Sequence, residues 1–546
     1  VPSSVVQNID LYAGGFGAQY LGKTSSVIDI RLRPGNMKQY IGEAAVSPYL
    51  STVRAEGPVV KNEQSFLFVG RKSLISQSSA YLPEESPSVD FYDLTARYSL
   101  LSENYSCNAT TIHSNDEGKI DPGWENRMSW SNTAVGVSCL GFSPEFENRF
   151  EVTLGYSRYS NAEYKGAERV RHARFGEGRL SVDLRNSGVN RQVEYGFEVR
   201  IPQFRARLDE TFSTLKQLDQ RSAIFETYVS FQWRPSPRLR VQPSLGAQVP
   251  IVDVQPTIEP RLRISSFPFG ADNHEISLAA GRYSQLSWGF SDTRDVGHVF
   301  NVLKPYKGDN ARQSALHGIL GYEGTYFRMF DVSVEGYLKR HRDVLVAEWT
   351  PDISGSLQTG QADGLSYGVD TRLEFRRDDL YLFLSYGWSR VTYEAAAGDL
   401  GAWIQEPVFE YTPAHDRRHK LTLTANYEIG AYDASLHWSY GSGRPYTKIY
   451  GYDFSLDVPH DQPTEDPGLA KIFFSRPYGG RLPAYHRLDV SAARTFEFEA
   501  GWALDVQAGV LNLYDRENIF FLNPETLRRT DQMRLTPYVS VGLTVK

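Results

Sequence analysis

The chain has 546 residues, of which 41% are hydrophobic and 13% aromatic, with a mean hydropathy of -0.42 and a net charge of -7. This composition argues against a helical membrane protein, because no uncharged apolar stretch approaches the roughly 18 to 20 residues that a spanning helix needs. The mild, dispersed acidity makes nucleic acid an unsuitable partner. Two classes remain: an aromatic-rich soluble β protein, and a membrane barrel with aromatic girdles at both interfaces.

Strands of alternating polar and apolar residues recur along most of the chain. Clear examples occupy residues 151–156, 331–338 and 420–427. Because successive side chains of a strand point to opposite faces, each strand has one polar face and one aliphatic or aromatic face. A soluble sandwich shares this pattern. Its repetition throughout one chain nevertheless favours a closed barrel whose outer surface meets lipid.

The connections between the predicted strands alternate in length. Short connectors, such as 61–63 and 186–188, alternate with longer polar segments, such as 114–126, 161–172, 341–364 and 391–417. The count of connections corresponds to about 22 strands, and alternating turns and loops are typical of barrels in the outer membrane. We therefore predict an all-β protein that forms a transmembrane antiparallel β-barrel.

Residues 1–36 differ from this repeat. A strand leads through Gly14 and Gly15 to a second strand that includes Ser25-Ser26-Val27-Ile28. The segment resembles the closing part of the plug domain of TonB-dependent outer-membrane receptors, in which such a hairpin leads straight into the barrel. Later motifs are similar to those of the same family and occur in its order: 55–58, 65–73, Glu259-Pro260-Arg261-Leu262, 416–419, 440–446, 482–489 and 512–518. The motifs at 416–419, 440–446 and 482–489 look like versions common in Bacteroidota-type members.

The resemblance implies two parts: residues 1–36 as the end of a plug domain, and residues 37–546 as the barrel with long extracellular loops and short periplasmic turns. It implies a receptor and transporter in the outer membrane of a Gram-negative bacterium, which takes up a scarce nutrient such as a metal chelate, oligosaccharide or peptide. The TonB-ExbB-ExbD complex would energise uptake. We expect most of the plug and the TonB box to lie outside this sequence.

Two other functions stay open. A barrel without transport would act as a scaffold or anchor for a surface lipoprotein or another envelope protein. A soluble β-rich binding protein or hydrolase is the second alternative. No nucleophile–base arrangement stands out in the sequence, so we do not predict an enzyme.

The family mechanism implies that the substrate binds from outside, where aromatic and polar side chains of the loops and the plug apex converge. The candidate substrate-binding residues are Trp288, Tyr306, Trp349, Trp403, Phe409, Tyr411, Arg444 and Tyr446. The alternative interpretation assigns these residues to an upper aromatic girdle or to packing between loops. The identity of the substrate is not predicted.

A plug has to be held and yet released, so we expect partly buried ion pairs between the plug and the barrel wall. The candidate cations are Lys23, Arg31 and Arg33, and the candidate anions are Glu56, Glu194 and Glu198. Alternatively, these charges pair with neighbouring strands of the wall.

Cys107 and Cys139 lie on predicted strands and are either disulfide-bonded across them or free thiols. No cofactor or metal is predicted, because the i,i+4 spacing of His415 and His419 is meaningful for metal binding only on a helix. The acidic segment 444–483 leaves one alternative, a calcium site with carboxylate ligands. Its candidate ligands are Asp453, Asp457, Asp461, Glu465 and Asp466.

Overall fold

The protein is described by a computed structural model that is nearly all β-structure. The structure describes residues 2–78, 89–119, 125–143, 147–208, 217–251, 255–269, 273–291, 300–306, 312–347, 359–400, 404, 406–455, 469–499, 501–522 and 528–546. A 3-10 turn, Ser3–Val5, precedes the first strand. No helix within these ranges is long and apolar enough to cross a membrane.

The first half of the chain contains these strands: β1 (Val6–Tyr12), β2 (Val27–Leu32), β3 (Ile41–Val46), β4 (Leu50–Val60), β5 (Gln64–Ser73), β6 (Val89–Leu101), β7 (Tyr105–Gly118), β8 (Asn126–Phe142), β9 (Asn148–Lys165), β10 (Glu168–Ser187), β11 (Arg191–Arg207), β12 (Gln217–Arg221), β13 (Ile224–Ser236), β14 (Leu239–Pro250), β15 (Thr257–Ser266) and β16 (His274–Ser284).

The second half contains these strands: β17 (Ser287–Ser291), β18 (Asn301–Pro305), β19 (Ser314–Tyr326), β20 (Phe330–Ala347), β21 (Thr359–Arg377), β22 (Leu380–Ala396), β23 (Val408–Tyr411), β24 (His419–Ile429), β25 (Tyr432–Gly441), β26 (Pro445–Tyr446), β27 (Ile449–Ser455), β28 (Leu469–Phe474), β29 (Gly480–Arg481), β30 (Tyr485–Phe498), β31 (Trp502–Leu511), β32 (Ile519–Leu522), β33 (Arg529–Asp531) and β34 (Thr536–Val545).

One closed antiparallel barrel of 22 strands forms the body of the molecule and confirms the predicted fold class. The barrel runs from β3 to β34, and these two strands pair with each other from Gly42↔Val545 to Val46↔Val541. This pairing removes the free edges that an open sheet would expose. Two short segments are not counted among the 22 strands: β12 pairs with the last residues of β11, and β23 pairs with the last residues of β22. We call the end of the barrel with the short connections the turn end and the opposite end the loop end.

Side chains alternate between the lumen and the outer surface, as the period-2 pattern predicts. On β11, Tyr195 and Ile201 point outward and are 46% and 53% exposed. Glu198 of the same strand points into the lumen, where it pairs with Arg179 of β10 at 2.8 Å. The lumen is therefore the charged side of the wall, and the apolar side chains lie outside.

Several strands run further than the sequence predicts. Residues 161–172, expected to be a long connection, belong largely to β9 and β10, which continue to Lys165 and resume at Glu168. Their polar composition suggested a loop. The antiparallel ladder continues there because backbone hydrogen bonding does not depend on side-chain polarity, and polar side chains outside an apolar band carry no desolvation cost.

Smaller sheets complete the fold. β1 and β2 pair from Val6↔Leu32 to Tyr12↔Val27 in a hairpin that is separate from the barrel sheet. In the long connections at the loop end, β17 pairs with β18, β26 with β29, β27 with β28, and β32 with β33. The β17–β18 hairpin packs against the inner face of the wall at this end, with Trp288 and Val302 beside Ala173 and Phe204.

Candidate functional site

The segment before the barrel lies inside the lumen and contacts opposite sides of the wall. Val5 and Leu32 pack against Leu67 of β5, and all three are almost fully buried. Across the lumen, Leu21 lies directly against Gly246 of β14, where a side chain in place of the glycine hydrogen would collide with it. The barrel wall therefore encloses this segment on both sides.

A buried guanidinium holds the loop that joins β1 to β2. Arg261 of β15 donates hydrogen bonds to the carbonyl oxygens of Phe16 and Tyr20, each at 3.1 Å, and to that of Gly17. The guanidinium also lies over the ring of Tyr283 at 4.3 Å. One wall residue thus satisfies three backbone acceptors of the inner segment.

Arg261 is itself held by a buried carboxylate. Its Nη2 donates to Glu259 Oε2 at 2.6 Å, and the two side chains are 5% and 0% exposed. Gln248 and Ser284 donate hydrogen bonds to the other carboxylate oxygen. Because a buried charge is tolerable only when it is paired and hydrogen-bonded, these residues form one unit. We call Glu259, Arg261, Gln248 and Ser284 the central latch.

A second set of hydrogen bonds holds the inner segment nearer to the loop end. Thr24 Oγ1 donates to Gln285 Oε1 at 3.0 Å and accepts from Gln313 Nε2 at 3.3 Å. His317 Nε2 donates to the carbonyl oxygen of Thr24 at 3.0 Å. The contacts come from Gln285 and Gln313, at the two ends of the connection between β16 and β19, and from His317 of β19, so these three wall positions are tied to the position of the segment.

At the turn end, an ion pair fastens the chain where it enters the barrel. Arg33 donates to both oxygens of Glu56, at 2.6 and 2.9 Å, and the backbone N–H of Asn36 donates to Glu56 Oε2 at 3.0 Å. The hydrogen bonds to this carboxylate raise the pKa of Arg33. The structure therefore brings together one predicted pair, Arg33 of the first segment and Glu56 of β4.

The other predicted cations have different surroundings. Arg31 forms its ion pair with Asp29 of the same hairpin, at 3.6 Å, because both side chains lie on one face of β2. Lys23 lies in the field of Glu177, Glu198 and Glu226 of the wall, and burial lowers its pKa. Its placement puts a cation of the inner segment beside several wall carboxylates.

Two predicted anions pair within the barrel wall. Glu194 forms an ion pair with Arg185, and Glu198 forms one with Arg179 at 2.8 Å. All four residues lie on β10 and β11, whose register places them on neighbouring positions of the lumen face. Glu194 and Glu198 thus follow the alternative interpretation, in which lumen charges pair with adjacent strands.

A cavity of about 550 Å³ lies on the loop-end side of Thr24 and Ser25. This volume is in the range of ligand sites for small molecules. Its lining combines five aromatic side chains with three basic ones, and the lining residues that the structure describes include no aspartate or glutamate. The aromatic residues are Trp288, Tyr337, Tyr393, Tyr411 and Tyr478, and the basic residues are Lys339, His341 and His415.

Stacked rings organise one wall of this cavity. Tyr411 and Tyr478 stack with ring centroids 5.6 Å apart, and Tyr393 meets Tyr411 edge to face at 5.9 Å. Phe409, which does not line the cavity, stacks on Tyr411 at 5.7 Å. Offset and edge-to-face contacts of this kind fix ring positions, so the aromatic wall is preorganised.

Two of the predicted binding residues, Trp288 and Tyr411, line the cavity. Tyr306 and Phe409 are buried in apolar clusters beside it, as the alternative interpretation of loop packing has it. Arg444 and Tyr446 lie near the start of the connection between β25 and β30 and do not line the cavity. Trp349 and Trp403 fall outside the residues that the structure describes.

Sequence reasoning missed the basic residues of the cavity. Lys339 and His341 lie on β20, and His415 lies in the connection before β24. Residues 341–364 were expected to be a loop, so the alternation of Tyr337, Lys339 and His341 was not extended to its end. That alternation places all three side chains on the lumen face, and it is the sequence signal from which their position could have been predicted.

The two cysteines are joined. Cys107 of β7 and Cys139 of β8 are directly opposite in the strand register and form a disulfide. They share the outward face with Val137, which is 48% exposed. The structure therefore resolves the two alternatives in favour of a cross-strand bridge on the outer surface near the turn end.

The candidate calcium ligands Asp457, Asp461, Glu465 and Asp466, with the side chain of Asp453, fall outside the residues that the structure describes. His415 lies against Tyr393 at 5.6 Å, whereas His419 stacks on Tyr386 at 6.2 Å. Within the described ranges, no group of three or more histidine, cysteine, aspartate or glutamate side chains is placed to hold a metal ion.

No protein-family model and no curated protein matches the chain. Solved structures do. The siderophore receptor PirA from Acinetobacter baumannii superposes with a TM-score of 0.70 at 12% identity, covering 100% of this chain and 86% of that one. The F5-1 variant of the FrpB iron transporter from Neisseria meningitidis gives 0.70 at 10% identity, covering 100% and 89%. The copper transporter OprC gives 0.68 at 10% identity, covering 98% and 85%.

These similarities extend over essentially the whole chain, including the inner segment, although few residues are identical. They agree with the motifs that relate the sequence to one family and with the closed barrel of 22 strands. The chain therefore has the fold of the TonB-dependent outer-membrane receptors.

Proposed function

We propose that the protein is an outer-membrane receptor that binds a small ligand above a plug and imports it with energy from TonB. One observation carries the proposal: the inner segment is held in the lumen by hydrogen bonds and ion pairs, and the cavity lies directly on top of it. Each of these polar contacts contributes little net free energy, because water can replace it, so a pulling force can release the segment one contact after another.

The outer surface supports a place in the membrane. Leu154, Tyr195 and Ile201 point away from the lumen and are 61%, 46% and 53% exposed. Side chains of this kind recur around a closed barrel, and at their level charged residues such as Glu198 point inward, which matches the lipid-facing band of outer-membrane barrels. We infer that this band lies in the outer membrane of a Gram-negative bacterium.

The β1–β2 hairpin supports the assignment of residues 1–36 to a plug. Ile9, Leu11, Ile28 and Ile30 lie on one face of the hairpin and are 57%, 66%, 62% and 44% exposed toward the lumen. An uncovered apolar face is unfavourable in a lumen that is otherwise polar. We propose that further plug structure covers this face, and that residues 37–546 form the barrel around it.

The cavity favours a particular class of ligand. The Lys339 ammonium would attract an anion, His341 and His415 would donate hydrogen bonds to it, and the aromatic wall would pack against flat apolar groups. A bare Ca²⁺ or Mg²⁺ ion fits poorly, since the described lining lacks carboxylates. PirA is a siderophore receptor and FrpB an iron transporter, so anionic ferric chelates with aromatic groups are the first ligands to test.

Transport is tested in cells that carry the full-length gene. Uptake of a radiolabelled ferric chelate is compared between cells with TonB and otherwise identical cells without it. We expect accumulation only in the presence of TonB, with surface binding retained in both. Equal uptake without TonB would contradict energised transport. Absence of binding for every chelate, oligosaccharide and peptide tested would favour the scaffold function.

A further inference from the structure

The outer surface of β9–β12 carries a band of basic residues at the loop end. Strand register aligns these residues in rows across the strands. The first row contains Arg158, Gly176, Gln203 and Arg221, in that order. We call this set the arginine band: Arg158 of β9, His172 and Arg174 of β10, Arg205 and Arg207 of β11, and Arg221 of β12.

The alternation of these strands fixes the direction in which the band faces. Ala173, Phe204, Ala206 and Leu218 occupy the intervening positions and are at most 4% exposed, packed in the cluster beneath the β17–β18 hairpin. Since neighbouring side chains of a strand point to opposite faces, the arginine band faces outward. It is part of the outer surface of the barrel and belongs to neither the cavity nor the latch.

Like charges stand directly opposite one another in this band. Arg174 pairs in register with Arg205. Like charges at opposed cross-strand positions destabilise a sheet. In the next row His172 pairs with Arg207, and burial together with the fields of Arg169, Arg174 and Arg207 lowers the pKa of His172, so the guanidinium groups carry the charge of the band.

Within the part of the chain that the structure describes, little of this charge is neutralised. Arg205 has an ion pair with Asp219 at 3.3 Å, but the two side chains are 40% and 54% exposed, and pairs of that kind contribute little. Gln203, with its amide oxygen turned toward the guanidinium groups, accepts hydrogen bonds from Arg205 and Arg221. A neutral amide satisfies donors without removing charge, so an anion from outside would stabilise the band.

The depth of the band indicates where that anion comes from. Tyr156 and Ile201, in the row of Gly178, are outward apolar residues and are 44% and 53% exposed. The first row of the arginine band lies two residues further along the same strands, a rise of about 7 Å. If the apolar rows meet acyl chains, the guanidinium groups lie at the level of lipid headgroups.

We propose that the arginine band binds the phosphate groups of a lipid in the leaflet at the loop end. Guanidinium groups bind phosphate oxygens bidentately, and several of them together match a headgroup with more than one phosphate. The adjoining apolar rows would take the acyl chains of the same molecule. The inference rests on the proposed function only for the placement of the barrel in the membrane.

The test uses the full-length protein in non-ionic detergent, with lipid A as the probe. Lipid A is a glucosamine disaccharide with two phosphates and several acyl chains. Its binding is measured for the wild type, for the double variant Arg174→Gln, Arg205→Gln, and for the control Arg377→Gln, Arg494→Gln at the turn end. We expect about 30-fold weaker binding for the first variant, since each guanidinium near a headgroup contributes about fivefold, and unchanged binding for the control.

Thermal stability supplies a second readout that a structural role alone would not produce. Without lipid, removal of the opposed charges should raise the melting temperature of the Arg174→Gln, Arg205→Gln variant. With lipid A, the wild type should gain stability and the variant should gain little. Dephosphorylated lipid A and inorganic phosphate should stabilise neither protein.

Three results would overturn the inference: equal affinity of the double variant and the wild type for lipid A, equal loss of affinity in the turn-end control, and full stabilisation by inorganic phosphate. None of these three results bears on the proposed function. If the barrel were not a membrane protein, the wild type would fail to insert into lipid vesicles and would not show heat-modifiable migration on gels.

Discussion

At the scale of residues, the central latch is the most demanding arrangement in the lumen. Glu259 and Arg261 are buried as a pair, and every described hydrogen bond of Arg261 other than that to Glu259 goes to the inner segment. A buried pair is tolerated when both charges are satisfied, and loss of one partner leaves the other without compensation. The latch therefore couples the stability of the wall to the presence of the segment.

Substitution of the latch carboxylate tests this coupling. Glu259→Gln leaves the charge of Arg261 buried without an anion, so we expect a loss of about 3 to 5 kcal/mol in the free energy of unfolding. Denaturant titration of the purified protein measures it. Glu323→Gln is the control, because Glu323 is an exposed lumen residue near the turn end. Equal free energies of unfolding for the two variants would show that the Glu259–Arg261 ion pair does not stabilise the protein.

Lys339 tests the chemistry of the cavity. It lines the cavity and donates a hydrogen bond to the carbonyl oxygen of Ala13. For an anionic ligand, Lys339→Gln should weaken binding by about tenfold to a hundredfold, the usual range for a hydrogen bond to a charged group. Titration of Trp fluorescence follows the binding. Lys420→Gln, a lumen substitution outside the described cavity lining, should bind normally, and an unchanged Lys339→Gln affinity would rule out recognition of an anion there.

At the scale of elements, the connection between β31 and β34 depends on one exposed carboxylate. Asp515 accepts hydrogen bonds from Arg534, at 2.8 and 2.7 Å, and from the backbone N–H of Leu535 at 2.8 Å. Hydrogen bonding to Arg534 lowers the pKa of Asp515 to about 2. A lowered pKa means that the contribution to stability is complete above the ordinary value of 3.8 and is lost as the pH falls toward 2.

Acidification should remove the stabilising contribution of the Asp515 carboxylate. The difference in melting temperature between the wild type and Asp515→Asn should be constant above about pH 5 and should shrink between about pH 4 and pH 2. Melting curves across this range measure it. A difference that grows on acidification would have the wrong sign and would contradict the role of the ionised carboxylate.

The Cys107–Cys139 disulfide is a second feature that stabilises individual elements, since it joins β7 to β8. It spans 32 residues of sequence and joins strands that are already paired. Closing a loop of this length in the unfolded chain stabilises the native state by at most about 3 to 4 kcal/mol. Cys107→Ser with Cys139→Ser should therefore lower the resistance to denaturant without changing ligand binding. Loss of ligand affinity in the double variant would show that the bridge shapes the loop end as well.

Strand lengths show what the sequence could and could not predict for single elements. Alternation identified the central part of β9 and β10, because inward polar and outward apolar residues differ there. Beyond the apolar band both faces are polar, so the period-2 signal fades although the ladder continues to Lys165 and from Glu168. The predicted loop at 161–172 was wrong for this reason.

At the scale of the whole molecule, the barrel was predictable because its signal repeats in every strand and in every second connection. The candidate site was not. It combines Thr24 of the inner segment with Trp288 and Tyr411 of two separate connections and with His341 of the wall. Residues so far apart in sequence meet only through closure of the barrel and folding of the hairpins at its mouth, and neither has a local sequence signature.

The central claim is that the inner segment is a plug that moves during transport. Leu21 packs against Gly246, and a Cβ at residue 246 would lie 3.4 Å from Cγ of Leu21, so Leu21→Cys with Gly246→Cys would fasten the segment to the wall by a disulfide. Uptake of a bound ferric chelate is measured in intact cells before and after mild reduction, with Leu21→Cys alone as a control. We predict no uptake in the oxidised double variant, recovery on reduction, and uptake by the single variant under both conditions. Normal uptake by the fully oxidised double variant would contradict it.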